Sequence, residues 1–444
     1  MTLSSLPILL FLTPFLAAMV AVALGWFIRG AARVVAVIAL AITAGLSVAG
    51  AVRVHTDGTL HTHLGGWPPP IGIEVMLDPL SGFIAAVVAG VAVVVVVGGL
   101  PVASRELRGR SMVYYGTLLL LVSGLMGMVV TADLFNLFVQ LEMASLAAYA
   151  LVAAGGIGAP RAALTYLIIG SLGASLYLVG VGFVYAATGT LNMHDVAGLI
   201  GTADPRLVLV GGLLILTGLG VKMALFPLHV WMPAAYARSP AAAAAVMAPL
   251  VTKVTAYALI RVLYFVFAGG ELPSTVALLD VVAWAGALAM VGGGLLALIQ
   301  TDLRRLLAYS SIGQMGVVAL GIGLINPTGM TGAVLHIAND ALMKGLLFLM
   351  AGFALIRFSV RNVADLNRLR GQAPWMRAAI VVAGLSLIGV PPLAGFFGKW
   401  YVLTGTIAEG QWVFAAALIL GSLASVGYVF RIFEPLFFGA VAEP

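Results

Sequence analysis

The sequence predicts an all-α integral membrane protein with about 13 transmembrane helices. Of its 444 residues, 62% are hydrophobic and only 9% are charged, whereas about a quarter of the residues of a soluble domain carry a charge. Apolar runs of about 18 residues or more recur along the chain, and each is long enough to span a bilayer. The 54 glycines suit closely packed membrane helices.

The expected spans follow the apolar runs, and no soluble domain is inserted between them. The first run lacks a basic segment before it, and Arg29 comes after it. We therefore expect a retained first helix and not a cleaved signal peptide. The longest polar connection is "RVHTDGTLHTHLGGWPPP". The spans are expected near residues 3–28, 32–52, 78–100, 112–131, 134–155, 162–187, 207–235, 240–268, 276–299, 306–325, 330–357, 377–405 and 412–438.

Arginines of the predicted loops fall almost entirely on one side of the membrane. The positive-inside rule places that side in the cytoplasm, so the N-terminus is expected outside the plasma (inner) membrane and the C-terminus inside. Arg53 and Arg206 lie on the other side, and Arg261 lies near that end of a helix. The arginines expected on the cytoplasmic side are Arg29, Arg33, Arg105, Arg108, Arg110, Arg161, Arg238, Arg304, Arg305, Arg357, Arg361, Arg368, Arg370, Arg377 and Arg431.

The composition argues against several function classes. The chain has no cysteine, so it offers no thiolate for an iron–sulfur cluster. The segment "GVGFVY" has two glycines of a dinucleotide loop, but it lies in an apolar run and not after a strand. The net charge of +6 follows from loop topology and does not indicate nucleic-acid binding. We therefore expect no redox centre, cofactor or metal site in this chain.

All four lysines lie within predicted spans: Lys222, Lys253, Lys344 and Lys399. A lysine at the bilayer centre costs roughly 2.5–3.5 kcal/mol on insertion scales. Lysine loses its proton when it is desolvated, whereas arginine stays protonated. The pattern therefore indicates a proton relay. Snorkelling from a helix end, or a static ion pair, is the alternative interpretation of each lysine.

A candidate partner for Lys222 lies in "ADLFNLFVQLEMASLAAYAL". Glu142 is interpreted as the only carboxylate deep in an apolar run, and therefore as the counter-ion of Lys222. Ser145 and Tyr149 follow at i+3 and i+7, so they share its helix face. Asp133 begins a second polar stripe nearer the outer end of this helix.

Another polar stripe lies later in the chain, in "HIANDALMKG". His336, Asp340 and Lys344 stand at i, i+4 and i+8, which places them on one face of a helix. A chain of titratable side chains on one face can pass protons. A static stripe that is fully hydrogen-bonded is the alternative.

Prolines are expected to interrupt the helices that carry lysines. Pro227 follows Lys222, and Pro391 and Pro392 precede Lys399 in "GVPPLAGFFGKW". Proline removes a helix hydrogen bond, and broken membrane helices occur where the backbone is protected or lines a hydrated cavity. Two such breaks in separate halves of a chain point to inverted repeats around an ion path.

Two further residues belong to the same pattern. Pro249 precedes Lys253, and we expect an interruption there as well. His229 follows Pro227 inside the first expected break, where we assign it, with Asp133 and Asp340, a supporting polar role.

Six ordered segments resemble the antiporter-like subunits shared by respiratory complex I and the Mrp-type multisubunit cation/proton antiporters. The resemblance covers about residues 75–430, and "HLGGWPPPIGIEVMLDPLSGF" is most similar to the D-type member of the Mrp antiporters. The six segments are "DLFNLFVQLEMASLAAYAL", "GLGVKMALFPLHVWMPAAY", "SPAAAAAVMAPLVTKVTAYALIR", "DLRRLLAYSSIGQMG", "HIANDALMKGLLFL" and "GVPPLAGFFGKW".

The resemblance implies two inverted five-helix repeats that act as proton half-channels. They correspond to residues 111–268 and 276–440, behind N-terminal transmembrane helices in residues 1–110. The family usually has a fourteenth helix, and this chain is expected to have thirteen. The implied partners are other membrane subunits, the lipid bilayer, protons and, in an antiporter, Na⁺.

The resemblance also assigns residues to a proton relay. Lysine at 399 differs from the complex I branch that carries glutamate there, which favours the D-type Mrp branch. The matched positions are Glu142 on the fifth helix, Lys222 on the broken seventh, Lys253 at the centre of the eighth, His336 and Lys344 on the linking helix, and Lys399 on the broken twelfth.

Three functions are compatible with these observations. The first is a proton-translocating subunit of a multisubunit Na⁺/H⁺ antiporter. The second is a proton-pumping subunit of an NADH-quinone oxidoreductase (complex I) or a membrane-bound hydrogenase, in which partner subunits would carry the redox reaction. The third is a scaffold that conducts nothing, and Glu142, Lys222 and Lys253 count against it.

Overall fold

The computed structural model describes residues 5–107, 109–267 and 272–438, and in these residues the predicted all-α membrane fold is confirmed. Twelve of the described helices are long and apolar enough to cross a membrane. Two shorter helices occupy the remaining predicted span, which agrees with about 13 crossings. Arg108, and residues 268, 439 and 440 of the predicted repeats, lie outside the described residues.

The N-terminal part of the fold combines long helices with one β-hairpin. Its elements are α1 Leu6–Phe27, α2 Ala31–Asp57, β1 Leu60–His63, β2 Glu74–Leu77, α3 Pro79–Glu106, α4 Ser111–Val130, α5 Leu134–Ala153, α6 Ala159–Thr188, α7 Met193–Leu199, α8 Pro205–Met223, α9 Met232–Arg238 and α10 Ala241–Ile260.

The regular elements of the C-terminal part are all helices in the described residues. A π-helical turn, Arg261–Val266, follows α10 directly. The helices after it are α11 Pro273–Leu298, α12 Leu303–Gly323, α13 Pro327–Phe358, α14 Pro374–Ile388, α15 Ala394–Ala408 and α16 Trp412–Phe437.

The β-hairpin marks one end of the helix bundle, here called the hairpin face. β1 and β2 pair antiparallel, with Leu60 opposite Leu77. Val75 also bridges to Thr131, next to the start of α5. The sequence predicted only a polar connection here, because strands of four residues carry too little periodicity to be recognised.

The opposite end of the bundle is called the arginine-rich face. The loops after α3, α5, α9, α11 and α13 meet there around one cavity of about 420 Å³. Glu106, Arg238, Asp302, Arg304 and Arg361 line this cavity. Three of the arginines that the sequence assigned to separate loops, Arg238, Arg304 and Arg361, therefore meet at one end of the bundle.

The first expected helix break is present. α8 ends at Met223, and Ala224 adopts a left-handed conformation with φ of 57°. The chain then runs without regular helix past Pro227 until α9 begins. The indole Nε1 of Trp231 donates a hydrogen bond of 2.8 Å to the carbonyl of Val221, which satisfies one of the carbonyls at the end of α8.

The second expected break is also present. α14 ends at Ile388, and Gly389 directly after it has a φ of 95°, a conformation that favours glycine. Pro391 and Pro392 follow before α15 begins. The last predicted lysine helix therefore consists of two half-helices, α14 and α15.

The interruption expected at Pro249 is wrong. α10 continues as an α-helix through Pro249 from Ala241 to Ile260. Every residue of this helix is buried. Prolines are tolerated in membrane helices because surrounding groups can satisfy the backbone carbonyl that the proline frees.

Candidate functional site

Lys222 and Glu142 are in direct contact at the first helix break. The lysine Nζ donates hydrogen bonds to Glu142 Oε1 at 2.7 Å, to Ser145 Oγ at 2.7 Å and to Tyr149 OH at 3.2 Å. These three partners occupy the single face of α5 that the sequence spacing predicted. Lys222 is 4% exposed, so its ammonium group depends on these oxygens and not on bulk water.

The local fold explains why Lys222 lies there. It stands in the last turn of α8, where the helix carbonyls carry partial negative charge that favours a cation. An aromatic wall closes the pocket: Tyr166 packs edge-on against Tyr149 at 4.6 Å and stacks on Trp231 at 3.9 Å between ring centroids. Gly170 makes room for this wall, because a Cβ there would lie 2.1 Å from Tyr149 OH.

Lys253 has a counter-ion that the sequence did not assign to it. Its Nζ lies 2.6 Å from Asp340 Oδ2, and the two side chains are 2% and 0% exposed. It also donates to the carbonyl of Ala248 at 3.0 Å and to Thr252 Oγ1 at 3.3 Å. The interpretation of Glu142 as the only deep carboxylate is therefore wrong, since Glu142 is 22% exposed and Asp340 is fully enclosed.

The polar stripe of α13 lies wholly inside the protein. His336, Asp340 and Lys344 are each 0% exposed. Lys344 Nζ donates to the carbonyl of Leu307 at 3.2 Å and to Ser310 Oγ, both on α12. Asp340 stands one helical turn from His336 on one side and from Lys344 on the other. One carboxylate thus lies among three groups that can carry a proton and a positive charge.

His336 leads from α13 into a network that the sequence did not predict. Its Nε2 lies 2.9 Å from Gln314 Oε1, which can only accept, so this nitrogen carries the hydrogen. Gln314 Nε2 donates to Tyr428 OH at 3.3 Å, and Tyr428 OH donates to Ser425 Oγ at 3.0 Å. A glutamine in the middle of the apolar α12 was the one sequence signal for this network.

Lys399 binds the end of the second broken helix. Its Nζ donates to the carbonyls of Leu387 at 2.9 Å and Ile388 at 3.0 Å, in the last turn of α14. A cavity of about 10 Å³ adjoins Lys399, Gln314 and Tyr428, which is about the size of one water molecule. Lys222 and Lys399 therefore both lie at carbonyl ends of half-helices.

Asp133 and His229 lie outside this set of contacts. Asp133 is the N-cap of α5, where its side chain accepts from the backbone N–H of Asn136 at 2.7 Å. The His229 ring stacks on Phe226 at 5.0 Å and approaches Tyr309 edge-on at 6.2 Å. Asp133 caps a helix, and His229 packs against aromatic rings in the broken segment. Neither is among the contacts of the four lysines described above.

The contacts define three groups of polar side chains. The first centres on Lys222, the second on Lys253 and Lys344 around Asp340, and the third on Lys399 with Gln314 and Tyr428. Each group holds a lysine that is at most 6% exposed. The arrangement can hold protons on lysines and pass them between oxygen and nitrogen atoms inside the bundle.

A comparison with known families decides the broad class of this site. The model of the family described as "NADH:quinone oxidoreductase/Mrp antiporter, TM" matches residues 131–425. The chain belongs to this family. The matched region begins before α5 and reaches Ser425, so it includes the lysines of all three groups and every other member named above except Tyr428. The resemblance that the six sequence segments indicated is thus confirmed.

Curated relatives come from two kinds of membrane complex. The N-type subunit of the NADH-quinone oxidoreductase of Desulforudis audaxviator (strain MP104C) is 43% identical over an alignment of 455 positions, which covers 99% of this chain and 88% of the relative. The D-type subunit of the Na(+)/H(+) antiporter of Bacillus subtilis (strain 168) is 32% identical over 392 residues, covering 88% of this chain and 78% of the relative.

A solved structure shares the whole fold. A chain of the membrane-bound sulfane sulfur reductase, an archaeal respiratory membrane complex, matches with a TM-score of 0.92 and 30% sequence identity. The match covers 97% of this chain and 88% of that chain. This protein is thus a multi-pass, antiporter-like membrane subunit of the Mrp antiporter and complex I type, and its partners are other membrane subunits.

Proposed function

We propose that this chain translocates protons across the plasma (inner) membrane through a relay of buried titratable side chains. The observation that carries the proposal is the contact between Lys222 and Glu142, at 2.7 Å, at a break in a membrane helix. A lysine held at such a break can be protonated when the pair is closed. It can release its proton when the carboxylate moves away, because burial disfavours the charged form.

The relay has two halves. Glu142, Lys222 and Lys253 form the first, in residues 111–268, and His336, Lys344 and Lys399 form the second, in residues 276–440. Two features support an inverted-repeat relation between the halves. Each half contributes five crossings in the described residues, and the fourth crossing of each is interrupted beside a lysine.

The orientation follows from charge. The arginine-rich face is proposed to face the cytoplasm by the positive-inside rule. The hairpin face then faces outward, with the N-terminus outside and the C-terminus in the cytoplasm. A reporter that becomes fluorescent only in the cytoplasm, fused after α16, is expected to be active.

The first candidate for the host assembly is a multisubunit Na⁺/H⁺ antiporter. The likeness to the Bacillus subtilis Na(+)/H(+) antiporter protein supports it. The second candidate is a redox-driven proton pump such as complex I or a membrane-bound hydrogenase. The 43% identity to a relative named as part of an NADH-quinone oxidoreductase favours that candidate, so lysine at position 399 does not by itself separate the two branches.

Purification of the native assembly separates the two candidates. An antiporter is expected to contain only membrane subunits and to move protons in vesicles when a Na⁺ gradient is imposed. Co-purifying subunits that carry flavin or iron–sulfur clusters, together with proton pumping driven by an electron donor, would assign the chain to a redox pump.

The relay itself is tested by replacing Lys222 with glutamine. In vesicles that contain the whole assembly, Lys222→Gln is expected to abolish driven proton flux, because glutamine cannot carry the proton. Arg53→Gln is the matched control, since it removes a cation from a partly exposed ion pair with Asp57. Flux at the wild-type level in Lys222→Gln would contradict the proposed relay.

A further inference from the structure

One buried cation takes no part in the relay just described. Arg261 is 2% exposed and begins the π-helical turn at the hairpin end of α10. Such turns are rare and are often found at functional sites. The sequence also placed Arg261 near the side of the membrane that has few arginines.

The guanidinium of Arg261 is held from several directions. Its Nη1 lies 2.6 Å from Asp78 Oδ2, and its Nε donates to Tyr257 OH at 2.8 Å. The guanidinium also lies over the ring of Phe265, 4.3 Å from the ring centroid. A planar group with these contacts on its edge and on its face has little freedom to turn.

The partners of Arg261 are themselves fixed. Asp78 is the N-cap of α3, and its Oδ1 accepts from the backbone N–H of Ser81 at 2.8 Å. Tyr257 OH donates to the carbonyl of Val129 on α4 at 2.8 Å. The cluster thus ties α3, α4 and α10 together where they reach the hairpin face.

This cluster lies on α10 between Lys253 and the hairpin face. Lys253, Tyr257 and Arg261 stand at i, i+4 and i+8, so they share one side of the helix. Arg261 is about 12 Å from Lys253 along the helix axis. A proton that left Lys253 along α10 would meet Tyr257 and then Arg261.

Neither of these two groups can pass the proton on as the structure holds them. The hydroxyl of Tyr257 already accepts from Arg261 and donates to Val129. Arginine does not lose its proton in proteins, so it cannot serve as a relay group. A proton that crossed here would bypass the second half of the relay.

We propose that Arg261, Asp78 and Tyr257 form a plug that blocks proton movement from Lys253 to the hairpin face along α10. The plug makes protons cross to the second half of the relay, which ends at Lys399. Arg261 then acts as an insulating residue and not as a carrier. This inference rests on the proposed relay, and its test must separate the two.

The decisive variant is Arg261→Lys. Lysine keeps a cation that can pair with Asp78, but it can lose its proton, so it turns the insulator into a relay group. The measurement is the passive relaxation of an imposed pH step in vesicles of the whole assembly, with the membrane potential held by K⁺ and valinomycin. Arg206→Lys, at an exposed position, is the matched control.

The variants are measured in the Lys399→Ala background, where the second half of the relay is blocked. Passive proton flux is expected to rise about tenfold or more in Arg261→Lys. When the new lysine gives up its proton, a unit charge about 12 Å from Lys253 disappears, which changes a barrier by about that factor at an effective dielectric constant of ~20. If the double variant Arg261→Lys Lys399→Ala shows no increase in passive proton flux, the proposed plug is wrong, and the relay is not affected by that result. Normal driven transport in Lys399→Ala alone would instead overturn the relay.

A second variant tests the proposal if Arg261→Lys does not assemble. Arg261→Gln Asp78→Asn removes both charges together and leaves polar side chains that can hold water, so no buried charge is left without a partner. The plug predicts an increased proton leak in this variant, with assembly retained. If this variant assembles and its passive proton leak does not increase, the cluster only holds the helices together, and the proposal is wrong.

Discussion

Asp340 on α13 pairs with Lys253 on α10 at 2.6 Å, which joins the two halves of the chain through side chains at most 2% exposed. The pair lies between two further groups of the same α13 face, His336 and Lys344. A single carboxylate among these groups stabilises positive charge on whichever neighbour holds the proton. In the structure, Lys253 is the neighbour whose contact with this carboxylate is direct.

Because this pair joins the two halves of the proposed relay, Asp340→Asn is expected to stop proton transfer between them. Removing one partner of a buried ion pair destabilises a protein by about 3–5 kcal/mol, because the other charge is stranded. Lys253 then lacks its counter-ion, and driven proton flux in vesicles is expected to be lost. Asp340→Glu keeps the carboxylate and is expected to restore part of the flux.

A matched double variant separates stability from transport. Lys253→Met Asp340→Leu replaces the pair with apolar side chains and is expected to recover thermal stability but no flux. Wild-type flux in Asp340→Asn would show that this contact is only structural.

The contact at the first break predicts a different outcome for Glu142→Ala. Glu142 is partly exposed, so its loss is expected to leave a folded, assembled protein. Flux is expected to fall to the level of vesicles without the assembly, because Lys222 loses the partner that controls its proton. Ser145→Ala removes only one of the lysine's hydrogen bonds and serves as the milder control. A Glu142→Ala assembly that transports normally would rule out a role for the pair in transport.

Lys399 is predicted to be the terminal group of the second half. Lys399→Ala is expected to stop net proton flux and to leave the contact between Glu142 and Lys222 unchanged in a structure of the variant. Lys399→Glu is expected to keep partial activity, because a carboxylate can also gain and lose a proton. A high-resolution structure with Lys399 facing lipid and no water beside it would remove this residue from the relay.

Local pattern predicted the first site well. The spacing of Glu142, Ser145 and Tyr149 defined one helix face, and Pro227 predicted the break beside Lys222. These signals lie within about one or two helical turns of sequence, where helix geometry fixes neighbours. The structure adds the distances and the aromatic wall of Tyr149, Tyr166 and Trp231, which depends on how helices pack.

Contacts between different helices could not be predicted from the spacing of residues within one helix. Asp340 pairs with Lys253 across two helices, and nothing in the spacing of either helix indicates its partner. Lys399 binds the carbonyls of Leu387 and Ile388, and backbone atoms carry no sequence signal. Pro249 misled the prediction, because a proline breaks a helix or not according to the groups packed around it.

The central claim is that lysines in the relay work by losing and regaining a proton, and Lys253→Arg tests it most directly. Arginine keeps the charge beside Asp340 but cannot give up its proton. The measurement is driven proton flux in vesicles of the whole assembly, compared between wild type, Lys253→Arg and Lys253→Ala. We predict that the arginine variant assembles and fails to transport nearly as completely as the alanine variant. Wild-type flux in Lys253→Arg would show that only a fixed charge is needed there, and would contradict the relay.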